Sequence, residues 1–173
     1  MSPSIGPVGS GCGLSNQFID YLPYDLATLA GYGWQFALGR VDDIQPAVYN
    51  TEDGSPPSDR QPEGMILTPV VIGVETVLRG VAQPGAVRVL VEGGTIGCYT
   101  IRVDQAPRVA KGERAVFVLS PARNADGKPL GGLLEMRFAW PVDENDTVNT
   151  PDGTMSISKL RETLSQLPPA TPS

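Results

Sequence analysis

The carboxylates are the residues of this chain whose type and spacing favour chemistry most directly. Two pairs stand out, Asp42 with Asp43 and Glu113 with Glu135. Two carboxylates divide acid and base roles when burial separates their pKa values, so each pair is a candidate for a carboxylate-pair enzyme. Asp42 and Asp43 are adjacent in a predicted strand, where neighbouring side chains point to opposite faces. We therefore expect that these two do not cooperate.

A second oxygen-rich segment, DENDTVNTPDG, covers residues 143–153. Calcium binds clustered oxygen ligands, and Asp143, Asn145, Asp146 and Asp152 would supply them. The EF-hand template is not met, because no glycine stands at its sixth position and no glutamate closes it. The sequence favours a solvated surface loop, with a calcium site as the less favoured alternative.

The chain has no histidine among its 173 residues. Ser-His-Asp and Cys-His catalysis are therefore excluded. Two cysteines without histidine also fail to complete a tetrahedral zinc site within one chain. A Ser–Lys dyad has no favoured spacing around Lys111 or Lys128, which both stand in loop sequence. We expect no catalytic residue and no cofactor.

The two cysteines, Cys12 and Cys98, are candidates for a disulfide that ties the N-terminal arm to the domain. The alternative is two unrelated thiols, with Cys98 half-buried in a strand. A disulfide implies an oxidising compartment. The first residues lack the charged and then apolar pattern of a signal peptide. We expect an extracellular or cell-surface protein whose signal is not part of this sequence, with a cytoplasmic protein as the alternative.

Aromatic residues cluster near the N-terminus, at Tyr21, Tyr24, Tyr32, Trp34 and Phe36. Such a cluster could stack on a sugar or on a peptide partner. The favoured interpretation is that Trp34 and Phe36 belong to the core, while the tyrosines cover one end of the domain.

The net charge is −6 and the sequence pI is about 4.6. The 13 Lys and Arg residues do not cluster, which argues against nucleic acid and against anionic membrane surfaces as partners. No run of apolar residues reaches the length of a membrane span.

The elements that would position these residues are mainly strands. Between Met65 and Val142, short runs rich in Val, Ile and Leu alternate with Gly, Pro and Asp turn signals. We predict strands at 34–44, 65–79, 86–92, 95–103, 113–120 and 131–140. Short helices are predicted from Tyr24 or Asp25 to about Leu29, and from Ser156 or Ser158 over SISKLRETLSQL. Polar loops are predicted at 50–64 and 143–153.

This pattern predicts an all-β fold, a partly closed Greek-key (OB-like) barrel of about six strands with one short helix at each end of the chain. A β-sandwich is the alternative. The predicted organisation is a flexible N-terminal arm over 1–17, one barrel domain over 18–167 and a Pro-rich tail or linker over 168–173.

The strand motifs carry a resemblance. The series LGRVDDIQPAVYNTEDG, ILTPVVIGVETVLRG, VRVLVEGGTIG and APRVAKGERAVFVL, over roughly residues 34–140, resembles a pattern of uncharacterised exported bacterial proteins. The arrangement also distantly resembles the OB barrel of the metalloproteinase-inhibitor and netrin-module group. That group has a Cys-led N-terminus near the barrel, and Cys12 matches this cysteine. The multi-cysteine framework of the group is absent from this chain.

From these features we predict a non-catalytic, exported or cell-surface structural module that works by contact, such as a subunit of an extracellular assembly. The expected partner is another protein or a second copy of the chain, with a glycan as a further option. A protease-inhibitor-like module and an enzyme with a carboxylate pair are the alternatives.

Overall fold

The computed structural model describes residues 13–17, 24–51, 53–56, 66–124 and 126–170. The fold is mostly β. Its strands are β1 Leu14–Gln17, β2 Gln35–Ile44, β3 Val48–Tyr49, β4 Ile66–Arg79, β5 Gly85–Glu92, β6 Gly94–Ile96, β7 Tyr99–Val103, β8 Arg114–Arg123, β9 Pro129–Pro141, β10 Thr147–Thr150 and β11 Gly153–Ser156. Two helices complete the described elements, α1 Leu26–Gly31 and α2 Ile157–Gln166.

The largest sheet closes on itself. Its strands follow the order β2-β8-β9-β5-β4-β3, and β2 also pairs with β4, so five strands form a ring and β3 extends it at β4. Neighbours in the ring are antiparallel except β5 and β9, which are parallel and joined by only two register pairs, Val89 with Leu134 and Leu90 with Glu135. We call this short parallel contact the seam.

Alternation along the ring strands produces two apolar layers. One buried set contains side chains from all five ring strands, which identifies it as the interior of the ring. Its members are Ala37, Val41, Val70, Ile72, Val74, Val89, Val91, Ala115, Phe117, Leu119 and Met136. A second buried set joins the outer face of β2, β4 and β8 to the two helices. The helices therefore cover one outer side of the ring.

The helices begin and end where their sequence indicates. The Asp25 carboxylate accepts a hydrogen bond from the Thr28 amide, and the Ser156 hydroxyl accepts one from the Lys159 amide, which caps both N-termini. In α2, Ile157, Leu160 and Leu164 are buried at helical spacing, as predicted. The guanidinium of Arg79 in β4 donates to the carbonyls of Leu164, Leu167 and Pro168, so the C-terminal end of α2 is tied to the barrel.

Two small sheets complete the fold. One has the order β1-β7-β6, in which β1 runs parallel to β7, and the other is the hairpin β10–β11. Chain 93–113, which contains β6 and β7, connects β5 to β8, and these two strands are not neighbours in the ring.

Three details differ from the sequence predictions. The predicted strand 95–103 is two strands, β6 and β7, because Gly97 has a positive φ of 61° and the chain turns there. The predicted loop 143–153 contains β10. Residues 14–17, which belong to the predicted arm, form β1 and pair with β7.

No helix in the described part of the chain is long and apolar enough to cross a bilayer.

Candidate functional site

A cluster of buried and partly buried polar side chains spans the seam. Glu135 of β9 is only 6% exposed, and Arg137 Nη1 lies 3.0 Å from its Oε1. The same Nη1 lies 3.9 Å from Oε1 of Glu92, which stands at the end of β5. Arg137 Nε donates to the hydroxyl of Ser120, a 2.9 Å hydrogen bond. We call these four side chains the seam cluster.

Electrostatics in the seam cluster favour a protonated Glu135. Burial raises the pKa of Glu135 to about 7 from the ordinary 4.5, and Glu92 adds to the rise through its charge and a hydrogen bond. The Arg137 guanidinium acts in the opposite direction, but it does not outweigh burial and the second carboxylate. The two glutamates therefore form a close carboxylate pair that holds a proton near neutral pH.

A cleft of about 660 Å³ lies beside the seam cluster, at the end of the barrel where β2 and β5 end and β4 begins. Glu92 lines both this cleft and a smaller neighbouring cavity. The walls of the cleft come from β4 and β5 of the barrel on one side, and from β7 and chain 104–109 on the other. This volume falls in the range of about 300–1,000 Å³ that is usual for small-molecule sites.

The same end of the barrel carries a strand edge, the outer edge of β1, that the described residues leave open. The carbonyls of Gly13 and Gln17 accept hydrogen bonds of 2.9 and 3.0 Å from the amides of Thr100 and Asp104. Because backbone groups alternate in direction along a strand, those of Leu14 and Asn16 point away from β7. Within the described residues no strand pairs with this outer edge of β1, and the Leu14 side chain is 58% exposed.

The carboxylate pairs named from sequence are not the pair that the fold brings together. Asp43 contacts Lys111 at 3.4 Å, and Glu113 accepts a hydrogen bond from the Ala110 amide. Glu113 precedes β8, whereas Glu135 lies opposite Ser120 near the other end of that strand. Seven residues of extended chain separate these positions by about 20 Å. Glu135 instead pairs with Glu92.

Carboxylate oxygens of the acidic segment 143–153 accept hydrogen bonds from the segment itself and from neighbouring elements. Asp143 accepts from the amides of Asn145 and Thr147. Two further carboxylates act on other elements: Asp146 accepts from Arg114 at 2.6 Å, and Asp152 accepts from the Leu26 amide at the start of α1. No group of three or more metal-ligating side chains occurs in the described ranges. The calcium alternative thus has no assembled ligand set there.

The other predicted residues divide between described and undescribed parts of the chain. Cys12 and Tyr21 lie outside the described residues, so the bond between Cys12 and Cys98 stays a prediction. Phe36 is fully buried and Trp34 packs partly buried against the helix-covered core, as predicted. Tyr32 is 57% exposed, and its ring lies 5.4 Å from that of Trp34.

Comparison with protein-family models, curated proteins and solved structures found no match for this chain.

Sequence reasoning missed Glu92 and the importance of Glu135 beside it. Both residues stand in predicted strands, but their contact depends on the parallel pairing of β5 with β9, strands that are far apart in the chain. A charged residue in a run of valines, as in VRVLVEGG, is the local signal that was present.

Proposed function

We propose that this chain is a non-catalytic module of an extracellular assembly that works by contact, and that it binds a second copy of itself through the outer edge of β1. The open edge of β1 carries this proposal. An exposed edge offers unpaired backbone N–H and C=O groups, and an added strand satisfies them. Two β1 edges that pair across a twofold axis would form a closed, symmetric contact.

The strand order of the ring supports an OB-like Greek-key barrel as the scaffold of this module. When the ring strands β2, β4, β5, β8 and β9 are counted in chain order, the first pairs with the second and the fourth, and the fifth lies between the third and the fourth. Barrels of this type commonly bind their partners with exposed strands and the loops around them. The open edge of β1 is an exposed strand of this kind, because β1 pairs with β7 in the connection between β5 and β8.

Export is part of the proposal and is supported by the neighbourhood of Cys98. Gly13, the residue after Cys12, is hydrogen-bonded to Thr100, two residues after Cys98. A Cβ atom added at Gly13 would lie 2.6 Å from the Tyr99 ring, so the chain passes close to the residue after Cys98. A disulfide requires Cα atoms within about 7 Å, and this proximity favours one between Cys12 and Cys98.

The experiment is analytical ultracentrifugation of the full chain over a wide concentration range. We expect a monomer–dimer equilibrium that Leu14→Lys weakens at least tenfold, because a charged residue on an edge strand opposes strand addition. Val81→Lys is the matched control, since Val81 is 85% exposed and lies in the β4–β5 turn. A chain that stays monomeric at millimolar concentration, or equal weakening by both substitutions, would contradict the proposal.

A further inference from the structure

The cleft at the end of the barrel has an apolar wall that does not belong to the open edge of β1. Val70 and Val91 reach it from the ring interior, and Ile44, which is 41% exposed, reaches it from the end of β2. Val109 adds a further apolar side chain from the connection that precedes β8. The apolar body of a ligand would pack against these branched aliphatic groups and keep water from them, which favours binding.

Arginine at the rim provides the polar part of the cleft. Among the described residues six arginines donate side-chain hydrogen bonds, namely Arg40, Arg79, Arg88, Arg114, Arg123 and Arg137. The described arginines without a side-chain hydrogen bond or ion pair are Arg102, Arg108 and Arg161. Two of these three, Arg102 and Arg108, line the cleft.

Negative groups at the cleft do not cancel these two guanidinium groups. Glu92 is already engaged with Arg137 and Glu135 in the seam cluster. Asp104 is the other carboxylate in the lining. The lining thus has an unengaged excess of positive charge on a chain whose net charge is −6.

We infer that the cleft binds an amphipathic carboxylate, a small molecule with an aliphatic body and one acid group. The body packs against the valine and isoleucine side chains, and the carboxylate is held by the guanidinium of Arg102 or Arg108, whose planar fork matches two carboxylate oxygens. This site goes beyond the proposed self-association, because its apolar wall and its two arginines belong to other elements; Asn16 is the one residue of β1 in its lining, and Leu14 is not part of it.

Isothermal titration calorimetry with dodecanoate, below its micelle concentration, tests the inference on the full chain. We expect saturable binding of one dodecanoate per chain, an affinity that rises from octanoate to dodecanoate, and weaker binding of dodecyltrimethylammonium. Arg102→Gln with Arg108→Gln should lower the affinity for dodecanoate at least tenfold. Arg161→Gln, on the exposed face of α2, is the matched control and should leave it unchanged.

Three results would overturn the inference: no saturable binding of dodecanoate, equal binding of the trimethylammonium compound, or an equal loss in the Arg161→Gln control. Circular dichroism at each ligand concentration verifies that the chain stays folded. The Leu14→Lys variant should bind dodecanoate as the wild type does. Failure of the dimer proposal and failure of the carboxylate site are therefore distinguishable.

Discussion

At the scale of single residues, Glu135 has a pKa well above the ordinary value of a glutamate. It is nearly buried, contacts Arg137 and shares a hydrogen bond with Glu92 across the seam. Burial of a carboxylate favours its neutral form, and a second carboxylate strengthens that preference. The protonation state of one residue therefore affects how well β5 and β9 hold together.

We predict that the free energy of unfolding of the chain falls as the pH rises from about 4.5 to about 7. The pKa of Glu135 is about 7 in the folded chain and near 4.5 when the chain unfolds, so the folded state binds the proton more tightly. The stabilisation is complete below about pH 4.5 and is lost as pH rises to about 7, with a total of about 3 kcal/mol.

Urea denaturation at a series of pH values measures this effect. Glu135→Gln should flatten the stability profile between pH 4.5 and 7, because the amide stays neutral throughout. Glu144→Gln removes an exposed carboxylate from the turn before β10 and should keep the wild-type slope. If Glu135→Gln keeps that slope too, the assignment to Glu135 is wrong.

At the scale of elements, closure of the ring between β2 and β4 depends on an unusually close approach of two strands. The pairing contains three register shifts, and Gly39 in β2 lies against Gly73 and Val74 in β4. A Cβ atom at Gly39 would meet the Gly73 carbonyl oxygen and lie 3.1 Å from its carbon. Since these contacts are to backbone atoms, no side-chain rotation relieves them.

Gly39→Ala should therefore destabilise the chain by about 1–3 kcal/mol, the usual cost of an overpacked site. Gly31→Ala is its control, because nothing lies within 4 Å of the added methyl group at the end of α1. That substitution should be neutral or stabilise the chain by up to about 1 kcal/mol. Thermal unfolding measures the melting temperatures of both variants. Equal melting temperatures would contradict the prediction, because β2 and β4 would then move apart at no cost in stability.

At the scale of the whole molecule, β1 joins residues 14–17 to β7 and so to the rest of the fold. The four residues of β1 are a short attachment on their own. A covalent bond from Cys12 to Cys98 would make that attachment permanent and would close a loop that covers half of the chain. On the loop-entropy model such a bond stabilises the fold by about 4–5 kcal/mol.

Alkylation of the native chain without reductant, followed by mass spectrometry, should therefore leave Cys12 and Cys98 unlabelled. Reduction should lower the melting temperature in the same preparation, because the unfolded chain regains the freedom that the bond removes. Two labelled thiols on the unreduced protein would contradict the disulfide and remove its support for export.

The local pattern of the sequence predicts most of the strands. It does not predict the contacts between strands that are far apart in the chain. The long apolar runs gave strands near 34–44, 65–79, 86–92, 113–120 and 131–140, each within a few residues of its observed bounds. The hairpin β10–β11 was missed because its strands are polar and are held by hydrogen bonds such as that of the Thr150 hydroxyl to Gly153. The pairing of Glu92 with Glu135 requires the ring order, which no local spacing encodes.

The connection between β5 and β8 has a consequence for how freely this protein can vary. Because these strands are separated by β9 in the ring, chain 93–113 has to arch over one end of the barrel. The hydrogen-bonded ladders of the ring reach the two ends of this arch, where Gly93 is hydrogen-bonded to Ile66 and where Gly112 and Glu113 are hydrogen-bonded to Val41. The cleft is thus a product of topology: substitutions within the arch change one wall of the cleft, while the other wall comes from β4 and β5 and is set by the ring.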